Sequence, residues 1–172
     1  MLVYTIGHST RSWEEVEEML TQNGVTRLVD VRSFPSSRKF PQWNQENLLD
    51  RFPYVWLKDL GGRRHTPAGV VSPNTGWRVK AFRDYADYMA TEGFDRGLKA
   101  LLAIAQEQIP AIMCSEAVPW RCHRRLITDA LLVRGVEVRD ILSPTSVREA
   151  SLTDFAQVDG TALTYPAPPP GP

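Results

Sequence analysis

Short apolar runs alternate along the chain with stripes of apolar residues at helical spacing. Residues 2–6 and 26–31 are runs rich in β-branched residues, as is typical of strands. Between them, Trp13 and Val16 begin a stripe typical of an amphipathic helix, and Ser12 with Glu15 forms a capping-box pattern at its start. A strand, a helix and a strand within about 30 residues predict a βαβ unit with parallel strands.

The rest of the pattern extends this arrangement. It predicts strands at residues 54–57, 110–114 and 136–142, and helices at 44–51, 79–91, 94–108 and 121–134. We therefore predict a single α/β domain over residues 1–142, with three layers and a mainly parallel sheet of about five strands flanked by helices. Residues 143–172 become polar and then Pro-rich, which predicts a loose tail with residues 162–165 docked as an edge strand.

Composition narrows the classes of function. The 172 residues carry 20 Lys+Arg and 20 Asp+Glu, so the formal net charge is zero, and no global field attracts the chain to nucleic acid or to a membrane. No apolar stretch approaches the ~20 residues that span a bilayer, and no signal peptide is visible. With only two cysteines, we expect a reduced, cytoplasmic protein without a membrane partner.

Reactive side chains follow the predicted strands at their carboxyl ends, where parallel sheets bind ligands. We predict a pocket there, with proton-transfer and nucleophilic candidates, anion-binding candidates and no metal. Its catalytic candidates are His8, Cys114, Glu116 and Cys122, and its anion-binding candidates are Ser9, Arg32, Arg38, Arg63 and Arg124.

Arginine is the sharpest signal in this set. Its planar guanidinium matches a phosphate or carboxylate through two hydrogen bonds, so clustered arginines on a neutral chain predict a local anion site. In this interpretation Arg32 and Arg124 clamp the anion. The structural alternative is that the arginines cap helices or form ion pairs with Asp30, Asp59, Glu116 and Asp129.

The two cysteines lie in the same junction between a strand and a helix. Cys122 is predicted in the first helical turn, where the helix dipole favours a thiolate. Cys114 ends a strand, which suits either a nucleophile or a buried structural thiol. Neither the Cys-x5-Arg nor the Cys-x-x-Cys pattern is present.

A metal site is disfavoured by the spacing of its candidate ligands. Cys122 and His123 are adjacent on the predicted helix and would point about 100° apart. We predict no metal and no cofactor. Glu116 or His8 remains the candidate for proton transfer.

Five sequence blocks occur in order along the chain: Gly7-His-Ser9, Asp30-Val-Arg-Ser-Phe-Pro-Ser-Ser-Arg38, Leu60-Gly-Gly-Arg63, Cys114-Ser-Glu116 and Cys122-His-Arg124. Together they resemble the signature blocks of the bacterial and archaeal domain-of-unknown-function 488 family. The resemblance runs from Tyr4 to about Leu142 and leaves the tail outside. It implies an α/β fold and a shared pocket, and it does not select a reaction.

The first functional hypothesis is an enzyme acting on a phosphate-bearing substrate, a nucleotide or nucleic acid. A second is a non-catalytic module that binds the same ligands, with Trp77 and Trp120 as stacking platforms. A third is a thiol or metal site with a redox role. The first two require Arg32, Arg124, Glu116 and Cys114 to converge on one pocket.

Overall fold

A six-stranded sheet is the centre of the computed structural model, which describes residues 1–169. Five neighbouring strands are parallel, and the sixth pairs antiparallel with the fifth. In chain order they are β1 (Leu2–Gly7), β2 (Arg27–Asp30), β3 (Tyr54–Trp56), β4 (Pro110–Cys114), β5 (Glu137–Ser143) and β6 (Ser146–Glu149). Their spatial order is β3-β2-β4-β1-β5-β6, so β4 lies between β1 and β2. The mainly parallel sheet is confirmed, with one antiparallel strand in addition.

Helices cover both faces of this sheet. They are α1 (Trp13–Gln22), α2 (Gln45–Leu48), α3 (Lys80–Tyr88), α4 (Glu92–Glu107) and α5 (Arg124–Leu132). The first two pack on one face and the other three on the opposite face, which confirms the three-layer α/β prediction. Within residues 1–169, no helix has both the length and the apolar character needed to cross a membrane.

The period-2 geometry of a strand divides the apolar side chains between two cores. In β4, Ala111 and Met113 pack on the α1 side, whereas Ile112 and Cys114 pack on the side of α3, α4 and α5. The strand is buried on both faces, which explains why its sequence is an uninterrupted apolar run. Cys114 therefore points toward α5.

The strand order creates a crevice at the carboxyl ends of β1 and β4. The chain leaves β1 through α1 toward β2, and it leaves β4 through α5 in the opposite direction toward β5. The two connecting helices lie on opposite faces of the sheet. Such a reversal is the topological switch point at which open α/β sheets bind ligands.

Three predicted helix boundaries are wrong. Gly93, expected to separate two helices, lies inside α4, which begins earlier because the Thr91 side chain accepts a hydrogen bond from the Phe94 amide. The predicted helix at residues 44–51 is reduced to α2. The predicted helix at 121–134 begins only at Arg124, because Pro119 starts a separate 3-10 turn and Cys122 is extended, with φ −141° and ψ 152°.

The tail is more ordered than predicted. Residues 146–149 add β6 to the sheet, and β7 (Gln157–Asp159) pairs with β8 (Ala162–Thr164) in a separate hairpin, so the predicted edge strand at 162–165 is wrong. Tyr165 is fully buried in the core and donates a hydrogen bond to Asp129. Most of the Pro-rich end follows Tyr165, and residues 170–172 lie outside the described part.

Tyr165 tests how strongly this tail is fixed. Burial raises the pKa of Asp129, whose carboxylate accepts from the Tyr165 hydroxyl at 2.8 Å and from the Thr153 amide at 3.0 Å. We expect Tyr165→Phe to lower the free energy of unfolding by about 1–3 kcal/mol in urea denaturation, because a buried carboxylate loses a donor. Tyr4→Phe is the control, because it removes only a 3.5 Å contact from Arg139 to the Tyr4 hydroxyl. Its free energy of unfolding should fall by about 0.5 kcal/mol or less. Equal losses of unfolding free energy in the two variants would contradict the view that the hydrogen bond from Tyr165 to Asp129 fixes the tail.

Candidate functional site

A cavity of about 750 Å³ opens at the switch point. Two hydrogen bonds hold its floor together, because the His8 amide donates to the Cys114 carbonyl at 3.0 Å and the Ser9 amide to the Ser115 carbonyl at 2.9 Å. The loops that follow β1, β2, β3 and β4, together with α3, supply its lining. The lining residues are His8, Ser9, Thr10, Arg32, Ser33, Phe34, Ser36, Ser37, Phe40, Gly62, Arg63, Ala81, Phe82, Cys114, Ser115, Glu116, Ala117, Arg121, Cys122 and His123.

Arg124 lies beneath this cavity with no exposed surface. Its Nε donates to Cys114 Sγ at 3.1 Å, one Nη donates to the Thr5 hydroxyl at 3.2 Å, and the other donates to the Glu116 carbonyl at 2.6 Å. All three guanidinium nitrogens are thus engaged inside the protein. The prediction that Arg124 clamps an external anion is therefore wrong, because its guanidinium is directed at the thiols and the loop after β4.

The buried guanidinium has no carboxylate among its direct partners in the described part of the chain. A buried cation requires a counter-charge. The two sulfurs are the ionisable groups in direct contact with Arg124, and the Asp140 carboxylate lies one hydrogen bond further away, accepting from the Thr5 hydroxyl at 2.7 Å. Burial alone would raise the pKa of Cys122, but the Cys114 thiol and the Arg124 guanidinium and amide outweigh it and lower that pKa to about 7. Burial raises the pKa of Cys114. Of the two thiols, Cys122 is therefore the one that ionises more readily.

His123 is the second neighbour of the Cys122 sulfur. Its Nε2 lies 2.8 Å from the Val31 carbonyl, which can only accept, so Nε2 carries the hydrogen. Burial lowers the pKa of His123, and in the neutral ring Nδ1, 3.4 Å from Cys122 Sγ, is the acceptor. Gly62 leaves room for this ring, since a Cβ there would lie 2.6 Å from Nδ1. The Val31 carbonyl thus orients the imidazole, and the imidazole lies beside the Cys122 sulfur.

Two predictions about Cys122, its place in the first helical turn and its divergence from His123, are wrong. It does not lie in the first helical turn, yet its sulfur accepts from the Arg124 amide at 3.4 Å and so occupies the positive end of α5. Cys122 and His123 also do not diverge by 100°, because the extended backbone of Cys122 places its sulfur beside the imidazole.

A second buried network surrounds Arg32. Its Nε and one Nη bind the two oxygens of Asp30 at 2.9 and 2.7 Å, and the same Nη donates to the Trp43 carbonyl. The other Nη lies 3.5 Å from His8 Nε2. The ion-pair alternative considered for the arginines is thus realised at Arg32, although one Nη still has donor capacity beside the cavity.

His8 is fixed in its neutral form. Its Nδ1 donates to the Ser9 carbonyl at 2.8 Å, and its ring stacks on Trp43 with centroids 4.7 Å apart. Burial, together with the nearby Arg32 charge, lowers the pKa of His8 to about 4. Ser9 adopts a left-handed backbone with φ 48°, which is uncommon for a residue other than glycine and marks a constrained turn at the cavity floor.

The remaining predicted residues separate into two groups. Arg63 is exposed on the cavity rim with its guanidinium 5.3 Å from the Phe34 ring centroid, and Glu116 is exposed in the lining. Arg38 is exposed and is not part of the cavity lining. The structure therefore brings Arg32, Glu116 and Cys114 together around one cavity, with Arg124 below it.

Several lining residues were not among the sequence-based site candidates. Arg121 is the last residue of the 3-10 turn, and Ser33, Ser36 and Ser37 belong to the loop after β2. The sequence could have indicated them, because each lies in a loop that follows the carboxyl end of a predicted strand. With Arg32, Arg63 and Arg121 against Glu116, the lining carries an excess of positive charge on a neutral chain.

The proposed stacking platforms are not available in this cavity. Trp77 is buried in the core against Tyr165 and Phe82, and Trp120, although 43% exposed, lies in a separate cavity of about 340 Å³ beside Arg148. Within residues 1–169, no three histidine, cysteine, aspartate or glutamate residues group closely enough to hold a metal ion.

His8 predicts a specific dependence of stability on pH. Because its folded pKa of about 4 lies below the ordinary 6.5, its contribution is complete above pH 6.5 and is lost as the pH falls toward 4. We expect this group to account for about 2 kcal/mol of the loss of unfolding free energy between pH 7 and pH 5. His8→Phe retains an aromatic ring on Trp43. In urea denaturation, its free energy of unfolding should fall by about 2 kcal/mol less between pH 7 and pH 5 than that of the unsubstituted protein. His65→Phe, at an exposed histidine, is the control. If His8→Phe loses as much unfolding free energy between pH 7 and pH 5 as the unsubstituted protein, this account is contradicted.

The family model described as domain of unknown function DUF488 matches residues 12–131, which include the Arg32, Arg63 and Cys114–Arg124 blocks. No curated protein and no solved structure matches the chain significantly. The match covers well over half of the chain and confirms the resemblance seen in the sequence blocks. The chain therefore belongs to the domain-of-unknown-function 488 family.

Proposed function

We propose that this protein is an enzyme acting on a phosphate-bearing substrate, a nucleotide or nucleic acid, with Cys122 as its nucleophile. The observation that carries the proposal is the position of the Cys122 sulfur. It accepts the Arg124 amide and lies 3.4 Å from His123 Nδ1, in a residue that lines a cavity with more arginines than carboxylates. Thiols activated in this way serve as nucleophiles in many unrelated enzymes.

Recognition of the phosphate falls to the arginines that reach the cavity. Arg63 and Arg121 are exposed in its lining, and Arg32 offers the Nη that Asp30 does not bind. Asp30 holds Arg32 through two hydrogen bonds, so its guanidinium is oriented before a ligand arrives. The hydroxyls of Ser33, Ser36 and Ser37 add neutral donors for the remaining phosphate oxygens.

The reaction then divides into two steps. The Cys122 thiolate attacks phosphorus, the bond from phosphorus to the leaving oxygen breaks, and the Glu116 carboxyl passes a proton from water to that oxygen. Water next attacks the phosphocysteine as Glu116 takes a proton from it, which returns the thiolate and releases phosphate. Arg124 balances the sulfur charge at the start and end of the cycle, and His123 accepts the thiol proton when Cys122 is protonated.

Binding of inorganic phosphate tests the recognition step without a known substrate. Arg121→Ala and Arg63→Ala should each weaken phosphate binding at least about tenfold in calorimetry or NMR titration, because each removes a charged donor from the cavity. Arg38→Ala is the matched control, since Arg38 is exposed nearby but does not line the cavity. An equal loss in the control would show that general charge, and not this site, attracts phosphate.

Turnover tests the nucleophile. In a panel of nucleoside phosphates and p-nitrophenyl phosphate, Cys122→Ser should lower kcat at least about 10³-fold, whereas Arg38→Ala should retain it. Iodoacetamide should modify Cys122 of the native protein faster as the pH rises through about 7, because the thiolate fraction increases, and Cys114 should react slowly. Hydrolysis that persists in Cys122→Ser would remove this residue from the mechanism.

A further inference from the structure

The two cysteines of the chain meet around a single residue. Arg124 donates from its Nε to Cys114 at 3.1 Å and from its backbone amide to Cys122 at 3.4 Å. Both thiols are free, and both line the same cavity. We infer that Cys122 and Cys114 are a redox modification site, in which a hydroperoxide oxidises Cys122 and Cys114 then closes a reversible disulfide.

The surroundings of the two sulfurs give them different roles. Cys122 lies just before α5 and lines the cavity with 5% of its surface exposed, and its sulfur accepts the Arg124 amide, which favours the thiolate that reacts with a small oxidant. Cys114, at the end of β4, is held as a protonated thiol within 3.9 Å of the Glu116 carbonyl. One attacking and one resolving thiol is the arrangement typical of redox-active cysteine pairs.

The chemistry has two balanced steps. The Cys122 thiolate attacks one oxygen of the hydroperoxide, the O–O bond breaks, and Cys122 becomes a sulfenic acid while the other oxygen leaves as hydroxide or alkoxide and takes a proton. The Cys114 sulfur then attacks the Cys122 sulfur, the S–O bond breaks, and the Cys114 proton leaves with the hydroxyl as water. The peroxide is reduced and the two thiols are oxidised.

Arg124 makes this disulfide easy to reduce. Oxidation removes the thiolate beside a guanidinium that has no exposed surface and, within residues 1–169, no direct carboxylate partner. An uncompensated buried charge is costly, so the oxidised form is destabilised relative to the reduced one. Disulfides of this kind have higher reduction potentials and are labile, as a reversible modification requires. If the proposed function is correct, oxidation also silences the nucleophile.

The chain has only two cysteines, which makes the test direct. Reduced full-length protein is treated with near-equimolar hydrogen peroxide, and intact mass and free thiols under denaturing conditions are measured. We expect complete loss of both thiols, a mass lower by two hydrogen atoms in the monomer, and full recovery with dithiothreitol. Gain of oxygen on Cys122 without a disulfide, disulfide-linked dimers, or two unreacted thiols would each overturn the inference.

Two variants assign the roles. In Cys114→Ser the sulfenic acid on Cys122 should persist and be captured by dimedone, and in Cys122→Ser the remaining Cys114 should stay reduced. Equal reactivity of the two variants would overturn this assignment, and circular dichroism establishes that each is folded. If a variant does not fold, the wild-type mass and its recovery still decide the inference. The redox test uses no phosphate substrate, so the two proposals fail separately. A disulfide without phosphatase turnover would refute only the proposed function. Phosphatase turnover without a disulfide would refute only this inference.

Discussion

A guanidinium that is buried without a direct carboxylate partner among residues 1–169 is the constraint on which the site depends. Arg124 begins α5, yet its hydrogen bonds reach Thr5 in β1, Cys114 in β4 and the carbonyl of Glu116 in the following loop. It therefore joins the two strands of the switch point to the helix that leaves one of them. Arg124 also lowers the pKa of Cys122, so the residue that fixes the loops favours the thiolate of that cysteine as well.

Close backbone approach is the second requirement of this arrangement. A Cβ at Gly7 would lie 1.6 Å from the Glu116 carbonyl oxygen, so only glycine allows the loop after β4 to cross the end of β1. That crossing places the carbonyl where Arg124 can donate to it and keeps Glu116 itself exposed in the cavity. The geometry of the thiols thus depends on a residue without a side chain on the neighbouring strand.

The architecture could be predicted from the sequence because it is encoded in local periodicity. Apolar runs and helical stripes gave the strand and helix order, and the carboxyl-end rule placed Arg32, Cys114 and Cys122 near one cavity. The spacing of residues does not show that all three guanidinium nitrogens of Arg124 are bonded inside the protein, so the sequence predicts a ligand-binding role that the structure contradicts. The docking of Tyr165 was also missed, because it depends on Asp129, a partner far away in sequence.

The arginines of this site divide into those whose nitrogens are bonded inside the protein and those whose guanidiniums are available to a ligand. Arg124 has no free nitrogen, and Arg32 shares two of its three with Asp30 and the Trp43 carbonyl. Arg63 and Arg121 reach the cavity with exposed guanidiniums. Buried arginines are therefore fixed to orient the cavity, whereas exposed ones supply its positive charge. Such a division explains how a chain of zero net charge can still present a cationic pocket.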